Sequence, residues 1–126
     1  MATFELKVLP GPFAVCRLSA DADLPSWATG ELVSVTRTPD ELSIVCADDG
    51  IPDGVKKEAD WRCLRVAGSL DFDMVGVLAG LTETLAAASI SVFVISTYDT
   101  DYLLVKQTTL EAAIESLRSA RHLVSS

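Results

Sequence analysis

One hairpin-like segment, residues 92–105, constrains the fold more than any other part of the chain. It reads Val-Phe-Val-Ile-Ser-Thr-Tyr-Asp-Thr-Asp-Tyr-Leu-Leu-Val, two runs of large apolar residues around a short polar turn. Runs of this kind are typical of paired β-strands that are buried on both faces. The turn collects hydrogen-bonding side chains at one end of the predicted sheet: Ser96, Thr97, Tyr98, Thr100 and Asp101. The turn is therefore a candidate binding site as well as a chain reversal.

Acidic residues dominate the charge of the chain, which has a formal net charge of −8 over 126 residues. They concentrate in residues 21–60. Such a surface repels phosphate backbones and anionic membranes, so we expect neither a nucleic acid nor a membrane as a partner. The apolar fraction of 49% is enough for a packed interior in one domain or in two small ones.

The cysteines and the single histidine give no sign of a metal or catalytic centre. Cys16, Cys46 and Cys63 lack CxxC spacing and lie in apolar runs, which predicts buried thiols in a reducing compartment. His122 has no partner at ligand spacing, and we expect it to be solvated at a helix end. The N-terminus shows no secretory signal, so the sequence predicts a cytoplasmic protein. From the residues above we also expect no cofactor, no metal site and no enzymatic activity.

The second half of the chain predicts the order strand, helix, strand, strand, helix. A strand is expected over 62–68, and a helical stripe of apolar residues runs from Met74 to Leu85. Asp71 or Asp73 is expected to cap this helix. After the hairpin, Thr108-Thr-Leu-Glu is typical of a capping box that opens a second helix.

This order lacks one strand of a βαββαβ unit. Residues 124–126 look too short to supply it, so we expect an N-terminal strand over 4–8, where apolar and charged residues alternate, to pair with the second half.

The first half predicts a reduced version of the same plan. We expect strands over 13–18, 31–37 and 42–47, a short helix over 23–28, and an irregular acidic connection over 48–60 with a short helix near Val55. The predicted organisation is a reduced N-terminal lobe of residues 1–60 and a C-terminal domain of residues 61–126.

Two segments of the second half carry a family resemblance. Phe72-Asp-Met-Val-Gly-Val-Leu-Ala-Gly-Leu resembles the turn-then-helix signature of the ACT domain, with Gly76 before Val-Leu at the helix start. Val75 stands where the family often has proline. Ile95-Ser-Thr-Tyr-Asp-Thr-Asp-Tyr-Leu-Leu-Val is similar to the ACT subfamily that includes the CASTOR arginine sensors. At Thr100, relatives of that subfamily carry an aromatic residue.

The resemblance implies an α+β fold of tandem ferredoxin-like (βαββαβ) ACT units, with antiparallel sheets and helices on one face. It also implies a regulatory sensor, a homodimer, that binds an amino acid or similar small zwitterion at an interface between ACT units. By motif position, the implied ligand-binding residues are Ser69, Leu70, Asp71, Phe72, Asp73, Val75, Gly76, Ser96, Thr97, Tyr98, Thr100 and Asp101.

The chemistry of these residues suits such a ligand. Free amides at the helix start, near Val75 and Gly76, suit a carboxylate. Asp71, Asp73 or Asp101 suits an ammonium group or the side chain of a cationic amino acid such as arginine or lysine. An aromatic ring at Phe72 or Tyr98 suits the apolar stem of the ligand or a guanidinium group.

Each feature also has a purely structural interpretation. The aspartates can cap a helix or close a turn, and Gly76 can serve helix–sheet packing. On that basis the alternative function is a ligand-free dimerisation module that uses an open sheet edge and the first helix. A hydrolase built on Asp71, Asp73 and Asp101 is disfavoured, because no nucleophile, base or metal set accompanies them.

Overall fold

The computed structural model describes residues 3–67 and 76–126. The chain divides into two compact units: a larger unit of Met1–Pro10 with Arg62–Ser126, and a smaller unit of Gly11–Trp61. In chain order the elements are β1 (Glu5–Val8), β2 (Phe13–Leu18), β3 (Ser34–Arg37), β4 (Leu42–Ala47), β5 (Lys56–Val66), α1 (Val77–Ala87), β6 (Phe93–Ser96), β7 (Asp101–Lys106), a 3₁₀ turn (Gln107–Thr109), α2 (Leu110–Ser119) and β8 (Leu123–Ser125).

The strands of the larger unit follow the order β6, β7, β5, β1, β8, and β5 contributes its C-terminal part. The N-terminal strand β1 lies between the first and last strands of the βαββαβ sequence. It runs antiparallel to β5, with Leu6 opposite Val66, and parallel to β8, with Leu6 opposite Val124. The expectation that residues 124–126 are too short for a strand is wrong, because the Leu123 N–H bonds to the Phe4 carbonyl at 2.9 Å and starts β8.

A single apolar core holds the larger unit together. Both helices contribute to it along with β1, β5, β7 and β8, and α1 also contacts α2. Its fully buried side chains include Leu6, Leu64, Leu81, Leu103 and Leu117. Burying one such leucine stabilises the fold by about 2 kcal/mol. The helical stripe predicted from Met74 to Leu85 corresponds to the buried side of α1, which presents Val77, Leu81 and Leu85.

The two helices do not begin as the sequence predicts. The N-cap of α1 is Gly76, which has no side chain to bond the first amides. Asp71 and Asp73, the predicted capping residues, lie outside the described part of the chain. A 3₁₀ turn precedes α2, whose N-cap is Thr109. The Thr109 hydroxyl donates to the Lys106 carbonyl at 3.0 Å, and the predicted capping box does not form.

Both helices end in the same way. The residue after each C-cap, Ser89 in α1 and Arg121 in α2, has a positive φ of 60° or 74°. The next residue then bonds back into the last turn: Ile90 N–H to Leu85 at 3.0 Å, and His122 N–H to Leu117 at 3.0 Å. This is the Schellman arrangement, in which the left-handed position normally belongs to glycine.

Replacing Ser89 with glycine should stabilise the protein. A side chain in the left-handed region costs about 1 kcal/mol relative to glycine, so we expect Ser89→Gly to raise the free energy of unfolding by about that amount. Urea unfolding followed by circular dichroism measures it. The matched control, Ala86→Gly inside α1, should lower stability by about 1 kcal/mol. A loss of stability in Ser89→Gly would contradict the prediction.

The smaller unit consists of strands in the order β3, β4, β2, β5. The predicted strands over 13–18 and 42–47 are confirmed. The helix predicted over 23–28 is wrong: the Ala28 N–H bonds to the Pro25 carbonyl in a turn. A turn closed by Val55 N–H and the Pro52 carbonyl likewise replaces the helix expected near Val55.

The predicted irregular connection over 48–60 is wrong in its last part. Residues 56–60 belong to β5 and pair with β2. The pairing shifts register between Phe13, opposite Trp61, and Val15, opposite Glu58. Asp60 has a φ of 66° at this bulge. Short polar residues tolerate that conformation, which lets an acidic, charged segment continue a strand.

All three cysteines are buried and free, as predicted. Burial raises the pKa of the Cys46 thiol to about 11 and that of Cys63 to about 12. In the described part of the chain, no helix is long and apolar enough to cross a membrane.

The buried thiols should make the protein less stable at high pH. The unfolded chain loses each thiol proton near its usual pKa of 9.0, whereas the folded chain keeps it to about pH 11 or 12. The stabilisation is therefore complete below pH 9 and declines as the pH rises above it. Urea unfolding across this range measures the decline, which should be shallower in Cys63→Ala. Equal slopes in the two proteins would contradict the prediction.

Candidate functional site

The turn between β6 and β7, residues 97–100, is closed by its two threonines. The Thr97 N–H bonds to the Thr100 carbonyl at 2.8 Å, and the Thr97 hydroxyl donates to the same carbonyl at 3.0 Å. The Thr100 N–H in turn bonds to the Thr97 hydroxyl at 3.3 Å. Backbone and side-chain bonds together fix the shape of the turn, so any group attached to it has a defined position.

A buried hydrogen bond joins this turn to the end of β5. The Thr100 side chain is 3% exposed, and its hydroxyl donates to the Val66 carbonyl at 2.8 Å. The hydroxyl proton is therefore engaged inside the protein.

Removing the Thr100 hydroxyl should destabilise the larger unit. Thr100→Val keeps the shape of the side chain but removes the hydroxyl that donates to the Val66 carbonyl, and the loss of such a hydrogen bond costs about 1 kcal/mol. Urea unfolding of the two proteins measures this difference. Thr100→Ser, which keeps the donor, should lose less than Thr100→Val. A valine variant as stable as the parent would show that the bond contributes nothing.

Asp101 is the buried acid of this region. It opens β7 opposite Ser96 and is only 9% exposed. Within residues 3–67 and 76–126, its carboxylate takes part in no hydrogen bond or ion pair. The carboxylate oxygens are not among the buried side-chain atoms that lack a hydrogen-bond partner, so they keep contact with solvent. Asp101 therefore offers an accessible acceptor, at the end of the hairpin, to a group that donates hydrogen bonds or carries positive charge.

The other turn residues face outwards. Ser96 and Thr97 are exposed, and the Tyr98 ring is 79% exposed. The neighbouring Asp99 is exposed as well. The turn thus presents hydroxyl, aromatic and carboxylate groups at its surface, and Asp101 is less exposed than these neighbours.

Gly76 serves the backbone conformation at the start of α1. Its φ is 83°, a value that L side chains rarely adopt. A Cβ placed on it would meet no atom within 4 Å among the described residues. Among the described residues, the backbone conformation therefore explains this glycine, and a packing contact does not.

Six of the predicted ligand-binding residues lie outside the described part of the chain: Ser69, Leu70, Asp71, Phe72, Asp73 and Val75. Of the rest, the structure brings Ser96, Thr97, Thr100 and Asp101 together at the end of the β6–β7 hairpin. Within the described residues, no group of three or more His, Cys, Asp or Glu side chains could hold a metal ion.

The expectation for His122 is wrong. The residue is 6% exposed, its Nδ1 accepts the Phe4 N–H at 3.0 Å, and its ring stacks on that of Phe4 at 5.9 Å between centroids. It occupies the position after the left-handed residue of the α2 terminus, where a side chain folds back onto the helix. His122 is the second residue after the C-cap of α2, and this position is the signal from which its burial could have been predicted.

Family models match both parts of the chain. Residues 56–119 match a model described as the ACT domain. Residues 11–54 match a model that describes an N-terminal domain. Cytosolic arginine sensor for mTORC1 subunit 1 from Homo sapiens is 41% identical over 59 residues, which are 46% of this chain and 18% of that protein. The corresponding protein of Mus musculus is 37% identical over the same length. This chain thus spans about a fifth of the length of these relatives.

Solved structures match over the whole chain. An X-ray structure of an Agrobacterium tumefaciens protein has a TM-score of 0.93 and 39% identity, covering 100% of this chain and 96% of that one. Aspartate kinase from Synechocystis has a TM-score of 0.69 and 14% identity, covering 98% and 28%. The regulatory subunit of aspartate kinase from Thermus thermophilus has a TM-score of 0.63 and 11% identity, covering 94% and 99%. The last two show likeness of fold alone, and the predicted α+β fold class is confirmed.

Proposed function

Because this chain belongs to the ACT domain family, we propose that it is a regulatory sensor that binds an amino acid or similar small zwitterion. The proposed site lies at an interface between ACT units of a homodimer, in the cytosol. It contains the β6–β7 turn, the start of α1 and the residues from Ser69 to Val75. No catalytic step is part of the proposal.

The observation that carries the proposal is the Asp101 carboxylate at the end of the β6–β7 hairpin. It is 9% exposed and lacks a partner among the described residues, yet its position is fixed because Thr100 beside it is bonded to β5. An ammonium or guanidinium group would supply the missing charge-assisted hydrogen bonds. A cationic amino acid therefore suits this carboxylate better than an acidic one does.

The start of α1 suits the other end of the ligand. The first helical bond of α1 runs from the Gly80 N–H to the Gly76 carbonyl, so the amides of residues 77–79 have no partner within the helix. These amides and the helix dipole favour a carboxylate. The absence of a side chain at Gly76 leaves room for a close approach.

The relatives support the class of ligand and the location. One set of them is named as cytosolic arginine sensors, and a fold relative is named as a regulatory subunit of aspartate kinase. We propose that this chain also binds an amino acid, and arginine and lysine are the first candidates. We also interpret the N-terminal lobe, predicted over residues 1–60, as a reduced ACT-like lobe. The four strands of the smaller unit, which contains no helix, support that interpretation.

Amino-acid binding should raise the melting temperature of the protein. We expect arginine or lysine at millimolar concentration to raise it, because a ligand that binds only the folded state stabilises that state. Thermal unfolding with each of the twenty amino acids in turn measures the response. Asp101→Asn should abolish it. Asp99→Asn, the same change at an exposed acid of the same turn, should leave it intact.

Two outcomes would contradict the proposal. One is that no amino acid changes the melting temperature at millimolar concentration. The other is that Asp101→Asn responds as strongly as the parent protein, which would remove the buried carboxylate from the site.

A second candidate function, a ligand-free dimerisation module, is favoured by the edge strand β6. Within the described residues, the strand that pairs with β6 is β7. Three successive apolar side chains of β6 are half-buried: Phe93, Val94 and Ile95. Both faces of this edge strand are therefore apolar. Such an edge is typically covered by another strand, here that of a second copy. Light scattering after size exclusion distinguishes the two functions. A dimer that persists unchanged in every amino acid favours the module, whereas one that responds to arginine or lysine favours the sensor.

A further inference from the structure

A hollow of about 470 Å³ lies where α2 ends and β8 begins, within the larger unit. We refer to it as the basic hollow. It is lined by Glu5, Arg118, Arg121, His122, Leu123, Val124 and Ser125. Two arginines and the one histidine of the chain thus line one hollow on a protein with a net charge of −8.

Two of the side chains that line the basic hollow, Arg118 and His122, are held in place by hydrogen bonds within the protein. Arg118 donates from Nη2 to the Val124 carbonyl at 2.8 Å, which fixes its guanidinium while other N–H groups stay unused. His122 accepts the Phe4 N–H at Nδ1, so the neutral ring carries its hydrogen on Nε2. Preorganised donors lose little entropy on binding, and a fixed guanidinium recognises an oxyanion well.

The positive charge of the hollow is not neutralised by the protein. Among the described residues, the ion pair present is between Lys57 and Asp48, and neither Arg118 nor Arg121 takes part in one. Glu5 lines the same hollow but lies beyond ion-pair distance of both arginines. An oxyanion would therefore meet two unneutralised guanidinium groups.

Arg121 occupies its place at a conformational cost. Its φ of 74° is the left-handed position that ends α2, where glycine would be more stable by about 1 kcal/mol. The residue at this left-handed position is nevertheless an arginine, and it is one that lines the hollow. Strain of this kind is consistent with a side chain needed for binding.

We propose that the basic hollow binds a small organic anion through its phosphate or carboxylate group. Arg118 and Arg121 bind the oxyanion, and the Nε2 hydrogen of His122 and the Ser125 hydroxyl are further donors in the hollow. The side chain of Leu123, 68% exposed, contacts the apolar part of the ligand. At about 4.8 Å per strand, β5 and β1 separate this site from the β6–β7 turn by about 14 Å, so it is independent of the proposed amino-acid site.

An NMR titration of the full chain tests the proposal. Phenyl phosphate and benzoate are the probes, and benzyl alcohol is the uncharged comparison, all at one ionic strength because salt screens charges. We expect the backbone amide signals of residues 118–125 to shift and saturate with at least one anion and not with the alcohol. If both anions bind, their ratio of dissociation constants identifies the preferred group.

Arg121→Gly is the decisive variant because it removes the cation while relieving the backbone strain, so the protein should remain folded. We expect its dissociation constant for the bound anion to rise about tenfold or more, as for the loss of a charged hydrogen bond. Lys56→Ala removes the same charge from an exposed position in β5 and should bind as the parent does.

Three results would overturn the proposal. The first is the absence of a saturable shift with both anions. The second is unchanged affinity in Arg121→Gly. The third is an equal loss in Lys56→Ala, which would mean that general charge attraction accounts for the binding.

Discussion

The larger unit depends on the backbone pairing of β1 with β5 on one side and β8 on the other. Leu6, at the centre of β1, faces Val66 and Val124 in these two pairings and is completely buried. Phe4, the residue before β1, donates its N–H to His122 and accepts the N–H of Leu123. Because an isolated pair of strands is only marginally stable, the three residues of β8 need this partner to form a strand at all. The terminal segment of the chain thus determines the geometry of the basic hollow.

The pattern of apolar residues predicted those strands whose side chains are buried alternately or continuously. It failed for segments whose structure depends on a single turn or on the backbone conformation of one residue. The strands over 13–18 and 42–47 are confirmed because their apolar runs have turns on both sides. The helix expected over 23–28 is wrong because one turn around Pro25 is too short to overcome the cost of helix nucleation. The last part of 48–60 belongs to β5 because Asp60 adopts a left-handed conformation, and no sequence period signals that.

The sequence predicted the location of the candidate site better than it predicted the hydrogen bonds of the individual side chains there. The hairpin was evident from two apolar runs around a polar turn, and Asp101 was favoured there as a ligand contact over Thr100, but the sequence does not show which polar group is already bonded within the protein. The structure separates them, since the Thr100 hydroxyl bonds to Val66 while the carboxylate of Asp101 has no partner among the described residues. His122 was misjudged because a helix end is usually solvated, whereas here the chain turns back and buries the ring against Phe4.

The bond from Arg118 to the Val124 carbonyl has a consequence for assembly. Leu123 directs its N–H towards β1, so the carbonyl of the next residue points away from the sheet, and the guanidinium covers it. A strand arriving at β8 would have to displace that arginine before it could pair with Val124. Extension of the sheet by a second copy at this edge is therefore opposed by a side chain of the protein itself.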